Sequence, residues 1–299
     1  MYTNSLGKKT RIDDPISDRQ PFLIGSRYTH LMSVAHPWSV PDLGSALTRA
    51  DERRRQQIRC SLAALDEYVK TPGDAFRSTT GNVACLRGIA ARQIDAALSV
   101  KLTALGAVFD RNLCMENLRL ITAEAARLRI PLEIDMEGRG LVEFTLDAAR
   151  ACRVVHDQVT IALQAYLDRT RSDLADMSNR EIGVRLVKGA YIGDTTDFSA
   201  IQERFRAIAN TAIGRDQPFS AGTHDPELVS WLRERMADHR HQIEFGFLMG
   251  LGDQTKLDLV ADGWSVTEYV PFGPQETAYT ARREAYIRSL REIGRKPVP

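Results

Sequence analysis

Two cations inside what reads as a core strand are the first chemical signal in this chain. Val184, Leu186 and Val187 have the character of a strand covered on both faces, yet Arg185 and Lys188 interrupt it and a Gly189-Ala190-Tyr191 turn follows. A buried unpaired charge is expensive, so a core carboxylate or a bound anionic or electron-rich ligand must answer them. Polar residues recur at the ends of other apolar runs: Lys101 after Ser99-Val100, Asp135 and Glu137 after Ile134, Gln164 after Leu163, Thr223-His224-Asp225 after Phe219-Ser220, and Tyr269 before Val270-Pro271. A lone His224 would more often be a structural hydrogen-bonder, but five or six strand ends in succession call for a common site. Near the C-terminus, Tyr279, Arg282 and Arg283 are spaced i, i+3 and i+4 and so share a helical face. Two guanidinium forks beside an aromatic suit a small carboxylate, through charge-assisted and often bidentate hydrogen bonds.

Strand-like segments at 97–104, 131–136, 158–164, 182–188, 217–221, 242–247 and 264–270 must place these groups. They alternate with amphipathic stretches such as 115–127, 198–212, 226–236 and 279–293. With a first strand expected over 28–35, eight parallel strands close into a (β/α)8 barrel, whose chemistry sits at the C-terminal ends of the strands. The expected organisation is an N-terminal arm over 1–27, polar and without periodicity, and one barrel domain over 28–299. A helix is expected over 41–69, stopped by Thr71-Pro72-Gly73, and another around 84–94. Gly250-Leu251-Gly252 is too weak a match for a dinucleotide turn, and no GxxxxGK[ST] occurs.

The 299 residues carry 40 Lys and Arg against 39 Asp and Glu, which gives no global argument for nucleic acid. The Arg53-Arg54-Arg55 run reads as a solvated helix face. Four scattered cysteines without a CxxC fit a reduced, cytoplasmic protein and argue against disulfides and zinc. No apolar run is long enough to span a membrane, which leaves peripheral contact open.

Taken together, eight short motifs resemble the flavin-dependent proline dehydrogenases. They are SVKLTAL at 99–105, IDMEG at 134–138, LQAYLDRT at 163–170, RLVKGAY at 185–191, THD at 223–225, EFGFLMG at 244–250, YVPFG at 269–273 and YTARR at 279–283. The resemblance covers roughly 95–293, while residues 1–95 match poorly. It implies a distorted (β/α)8 TIM barrel with the final helix over the C-terminal mouth. It implies oxidation of L-proline to 1-pyrroline-5-carboxylate by hydride transfer to N5 of FAD, with electrons passed to a quinone at a membrane. Carried over by position, Arg185 would sit near N5, and Gln164, Lys188, Gly189, Ala190, Thr223 and His224 would hold the FAD. Lys101, Asp135, Tyr269, Tyr279, Arg282 and Arg283 would line the substrate pocket, with Leu248 and Tyr191 as walls; Arg185, Lys101 and Asp135 are the expected catalytic residues.

The chain departs from the family pattern at Ile192-Gly193-Asp194, at Gln275-Glu276-Thr277-Ala278 and at Glu284-Ala285-Tyr286, so a related ring such as hydroxyproline or pipecolate is an alternative substrate. The residues also admit a Schiff-base barrel aldolase with Lys101 or Lys188 as nucleophile. A metal site on Asp135, Glu137 and His224 is a weaker reading, because only one of the three is a good zinc ligand.

Overall fold

Eight strands pair in chain order and close on themselves, every pairing parallel. They are β1 Arg59–Ala64, β2 Ala96–Val100, β3 Leu132–Ile134, β4 Val159–Gln164, β5 Gly183–Val187, β6 Phe219–Gly222, β7 Ile243–Leu248 and β8 Ser265–Phe272. The structure, a computed structural model, describes residues 38–299 apart from Ile192 and Glu276. Helix α1 Leu43–Arg55 precedes the barrel, and the helices that follow β1 to β8 in turn are α2 Pro72–Arg92, α3 Arg111–Leu128, α4 Val142–Val155, α5 Thr170–Asn179, α6 Phe198–Gly214, α7 Pro226–Arg235, α8 Asp253–Ala261 and α9 Thr277–Glu292. The expected (β/α)8 barrel is therefore present. Seven of its strands overlap the segments read from hydrophobic pattern.

The first strand does not lie where the pattern put it. The segment 28–35 and the expected arm over 1–27 fall outside the described residues, and β1 instead occupies part of the stretch read as one helix over 41–69. That helix is α1 only. Asp42 caps it by accepting from the Ser45 amide at 2.7 Å, and Gln57 ends it at φ 60°. Residues 58–65 then form a short apolar run that suits either element, and pairing with both β2 and β8 decides for strand. Thr71-Pro72-Gly73, read as a stop, is a start: Thr71 Oγ1 accepts from the Asp74 amide at 3.1 Å and Pro72 takes the first helical position, where no amide hydrogen is needed.

The arginine run was also misread at one position. Arg53 is buried, and its Nη2 lies 2.6 Å from both Glu268 and Asp253, while Lys256 pairs with the same two carboxylates. Glu268 points outward from β8, so this network ties α1 and α8 to that strand.

Strand alternation sorts the rest. Outward positions such as Leu62, Leu98, Leu132, Leu186, Phe245 and Val270 are buried against the helices and form the core. Inward positions are polar or small: Ser61, Ser99, Glu133, Arg185, Ser220, Gly222, Gly246 and Thr267. A barrel interior is ordinarily packed with bulky branched side chains. Here the missing bulk leaves an open chamber at the C-terminal end of the strands.

Candidate active site

Every residue nominated above for substrate or flavin lines one cavity of about 500 Å³, within the range of small-molecule sites. Helix α9 brings Tyr279, Arg282 and Arg283 to the same chamber that Arg185 enters from β5. Had the arginines faced opposite sides of the molecule, no common site would exist.

Asp135, just past the end of β3, is the hub. Its Oδ1 accepts from Ser99 at 3.0 Å and from the Arg185 guanidinium, and its Oδ2 accepts from the Tyr269 hydroxyl at 2.7 Å and lies 3.1 Å from Lys101 Nζ. Lys101 Nζ in turn donates to the Tyr269 hydroxyl at 2.7 Å. Burial pushes the Asp135 carboxyl up, but Lys101 and Arg185 outweigh it and hold the group well below the usual carboxylate range. Burial likewise disfavours charge on Lys101, yet Tyr269, Asp135 and Glu67 keep its ammonium well above its ordinary pKa. Burial, with Asp135 adding to it, raises the Tyr269 phenol. The set thus has fixed charges: an ammonium, a carboxylate and a neutral phenol. An ammonium held so firmly is a poor Schiff-base nucleophile, which weighs against the aldolase reading for Lys101.

Arg185 has a second carboxylate, Glu133, one inward step below Asp135. Arg282 and Arg283 differ from each other. Arg282 Nη2 donates to Glu67 at 2.5 Å and its guanidinium covers the Tyr191 ring at 5.2 Å. Arg283 covers the Tyr279 ring at 5.0 Å, and its buried Nε and the buried Tyr279 hydroxyl lack a hydrogen-bond partner. Buried polar atoms are nearly always satisfied, so these two orphans on residues of the cavity wall are exceptions that call for a partner.

On the β5 side, the chain must bend tightly around Tyr166. Gly189 lies at φ +127°, and a Cβ there would come within 1.6 Å of the Tyr166 ring. The Tyr166 hydroxyl accepts from the Tyr191 amide at 3.1 Å, fixing the Gly189-Ala190-Tyr191 turn. Lys188 pairs with Asp225 at 3.0 Å and sits 3.8 Å from the Phe198 ring centroid; burial lowers its pKa, with Asp225 opposing. Gln164 donates to the Met136 carbonyl at 3.1 Å, locking the β3 and β4 ends together. Past β6 come Thr223 and His224, both buried, and the Leu248 amide donates to His224 Nε2 at 2.9 Å, so the ring proton resides on Nδ1. Burial, with Arg283, Lys256 and Lys188 nearby, holds His224 down at about 3, neutral at all working pH.

Glu137 does not line the cavity. Its two oxygens accept from the Thr103 amide at 3.0 Å and the Thr103 hydroxyl at 2.5 Å, fixing the turn that follows Lys101. Those bonds also remove it from any metal site with Asp135 and His224. Among the described residues, no three His, Cys, Asp or Glu side chains group as metal ligands. Burial pushes the Glu137 carboxyl up to about 7 from its usual 4.5, with Thr103 opposing. A raised folded pKa favours the protonated form in the fold, so this group's stabilisation is complete at low pH and is lost as pH climbs through 7. We therefore expect the urea midpoint to fall between about pH 5 and pH 8, with a flatter profile in Glu137→Gln.

The family model for proline dehydrogenase matches residues 46–285. The chain belongs to the proline dehydrogenase family. The match extends upstream of the motifs to include most of α1, together with β1 and α2, where the motif resemblance is poor. Among relatives, the chain is 28% identical over 251 residues to proline dehydrogenase 2 of Bacillus subtilis strain 168, covering 82% of this chain and 83% of that protein. It is 26% identical over 253 residues to proline dehydrogenase of Deinococcus radiodurans, covering 81% and 82%. Among solved structures, proline utilization A from Bdellovibrio bacteriovorus, inactivated by N-propargylglycine, superposes with a TM-score of 0.75 at 18% identity. That superposition covers 82% of this chain but only 32% of the solved one, so the likeness is one of fold. Within the proline dehydrogenase family frame, Glu133, Glu67 and Tyr166 are residues that sequence reasoning did not single out. Glu133 had a legible signal: it sits two positions before Asp135, on the same face of a strand.

Proposed function

We propose that the chain oxidises L-proline to 1-pyrroline-5-carboxylate with FAD as its electron acceptor and a quinone as the onward acceptor. The observation that supports this best is a single chamber with Arg185 below and the unpartnered Arg283 Nε and Tyr279 hydroxyl above. Several features fit a flat, electron-accepting ring: the bare wall left by Gly222 and Gly246, the unpaired Thr267 hydroxyl, and the cations Arg185 and Lys188 beside it. Arg185, Gln164, Lys188, Gly189, Ala190, Thr223 and His224 would hold the cofactor, with His224 Nδ1 as its donor. When bound, the flavin supplies the two-electron acceptor that turns the ring C–N bond into C=N.

The protein's part is orientation and charge. Arg283 and Tyr279 take the substrate carboxylate, and Arg282 closes the pocket wall with Tyr191 and Glu67. Lys101, Asp135 and Tyr269 present a fixed hydrogen-bonding surface to the ring. Leu248 supplies apolar contact. Among the described residues no helix is long and apolar enough to cross a membrane.

The test is an anaerobic absorption spectrum of purified protein. Flavin bands that bleach on adding L-proline are expected. Protein without those bands, or bands bleached only by hydroxyproline or pipecolate, would overturn the reading or its choice of substrate.

A further inference from the structure

Below Asp135 the inward face of the barrel carries Ser61, Glu133 and Arg185, with Ser220, Thr267 and Glu244 nearby. Arg185 divides its guanidinium between two carboxylates: Nη2 goes to Asp135 and Nη1 to Glu133. These two acids are not equivalent. Asp135 also receives Ser99, Tyr269 and Lys101, so much of its charge is committed to the substrate side. Glu133 receives only Arg185 and the Ser61 hydroxyl, at 2.8 Å. Its surroundings otherwise oppose ionisation: burial raises its pKa and the nearby Glu244 and Asp135 add to that, while Arg185 and Ser61 pull it down. Arg59 acts on Glu133 only through longer-range attraction, so Arg185 is the one cation hydrogen-bonded to this carboxylate and the one it serves as counter-ion.

We propose that Glu133 is a positioning residue for Arg185. It anchors the guanidinium from beneath and offsets part of its positive charge, and so sets how strongly the site favours a reduced, electron-rich ring over the oxidised one. The inference rests on the flavin reading above. Its logic is electrostatic: a cation beside the ring stabilises the added electrons, and a neighbouring anion weakens that stabilisation, both through side chains that are largely buried.

The experiment is the flavin midpoint potential of the purified holoprotein, with flavin content and melting temperature measured on the same samples. Glu133→Gln keeps the shape and removes the charge. It is expected to retain flavin and fold normally, yet shift the oxidised-to-reduced equilibrium at least tenfold towards the reduced form, about 30 mV for a two-electron couple. Glu133→Asp withdraws the same charge by one methylene and is expected to shift it in the same direction by a smaller factor. It carries the test if the glutamine variant does not accumulate folded. An unchanged or lowered potential in either folded, flavin-loaded variant overturns the proposal. So does loss of flavin from Glu133→Gln alone, which would make Glu133 a cofactor-binding residue instead. Parent protein without flavin would sink the flavin reading first, before any variant is compared.

Discussion

Asp135→Ala is expected to reduce kcat/KM with L-proline by a hundredfold or more and to lower the melting temperature, the largest effect we expect from any single substitution. Four groups converge on this carboxylate: Ser99, Arg185, Tyr269 and Lys101. Removing one member of a buried charge set leaves the others uncompensated and costs about 3–5 kcal/mol, more than the loss of an isolated hydrogen bond. Here the abandoned partners are two cations, Arg185 and Lys101, on buried side chains. Asp135→Asn separates charge from shape, since it preserves the volume and an acceptor oxygen but not the anion. It should remain impaired and melt closer to the parent. Steady-state kinetics and calorimetry on the two variants decide the matter; parent-like kcat/KM in the alanine variant would mean that Asp135 only fills space.

The second large effect belongs to Arg283. Arg283→Ala is expected to raise KM on the order of ten- to a hundredfold with flavin content unchanged, because a hydrogen bond to a charged group is worth about 1.5–3 kcal/mol. The reason lies in what the two adjacent arginines already touch. Arg282 is held by Glu67 and Tyr191, while Arg283 keeps a buried Nε without a partner beside the equally unpartnered Tyr279 hydroxyl. Arg283→Lys should recover little, because an ammonium lacks the planar fork. Flavin lost from Arg283→Ala would contradict the placement of the substrate carboxylate at this end.

The barrel and its chamber were legible in the sequence through two separate signals. Apolar strand-like segments alternating with amphipathic ones gave the parallel barrel, and within it Lys101, Asp135, Gln164, Arg185, His224 and Tyr269 at successive strand ends marked the chamber. What escaped was set by tertiary partners. Residues 58–65 carry no local mark that separates a buried helix turn from a buried strand, and only β2 and β8 on either side settle it. Pro72 looks like a terminator, yet with Thr71 ahead of it the same residues begin α2. Arg53 sits in a run of arginines that propensity assigns to solvent. Glu268 on a distant strand draws it into the core, a pairing 215 residues apart that no window of sequence contains.

The roles of Glu133 and Glu67 stayed hidden for a similar reason. Glu67 carries no mark in its own stretch of chain and Glu133 only its place two residues before Asp135; each acquires its meaning opposite an arginine from another element, Arg282 on α9 and Arg185 on β5. Tyr166 lay inside a quoted motif, but its part in shaping the turn at Gly189 depends on how closely two strand ends approach.

The account depends most on flavin and substrate carboxylate sharing one chamber. The direct measurement is a difference absorption spectrum of oxidised holoprotein titrated with proline's ring-oxygen analogue, which has the carboxylate but no oxidisable amine. Saturable perturbation of the flavin bands in the parent protein, weakened at least tenfold in Arg283→Ala at equal flavin content, is the predicted result. A flavin spectrum that the analogue leaves unchanged, or perturbs equally in both proteins, would contradict it.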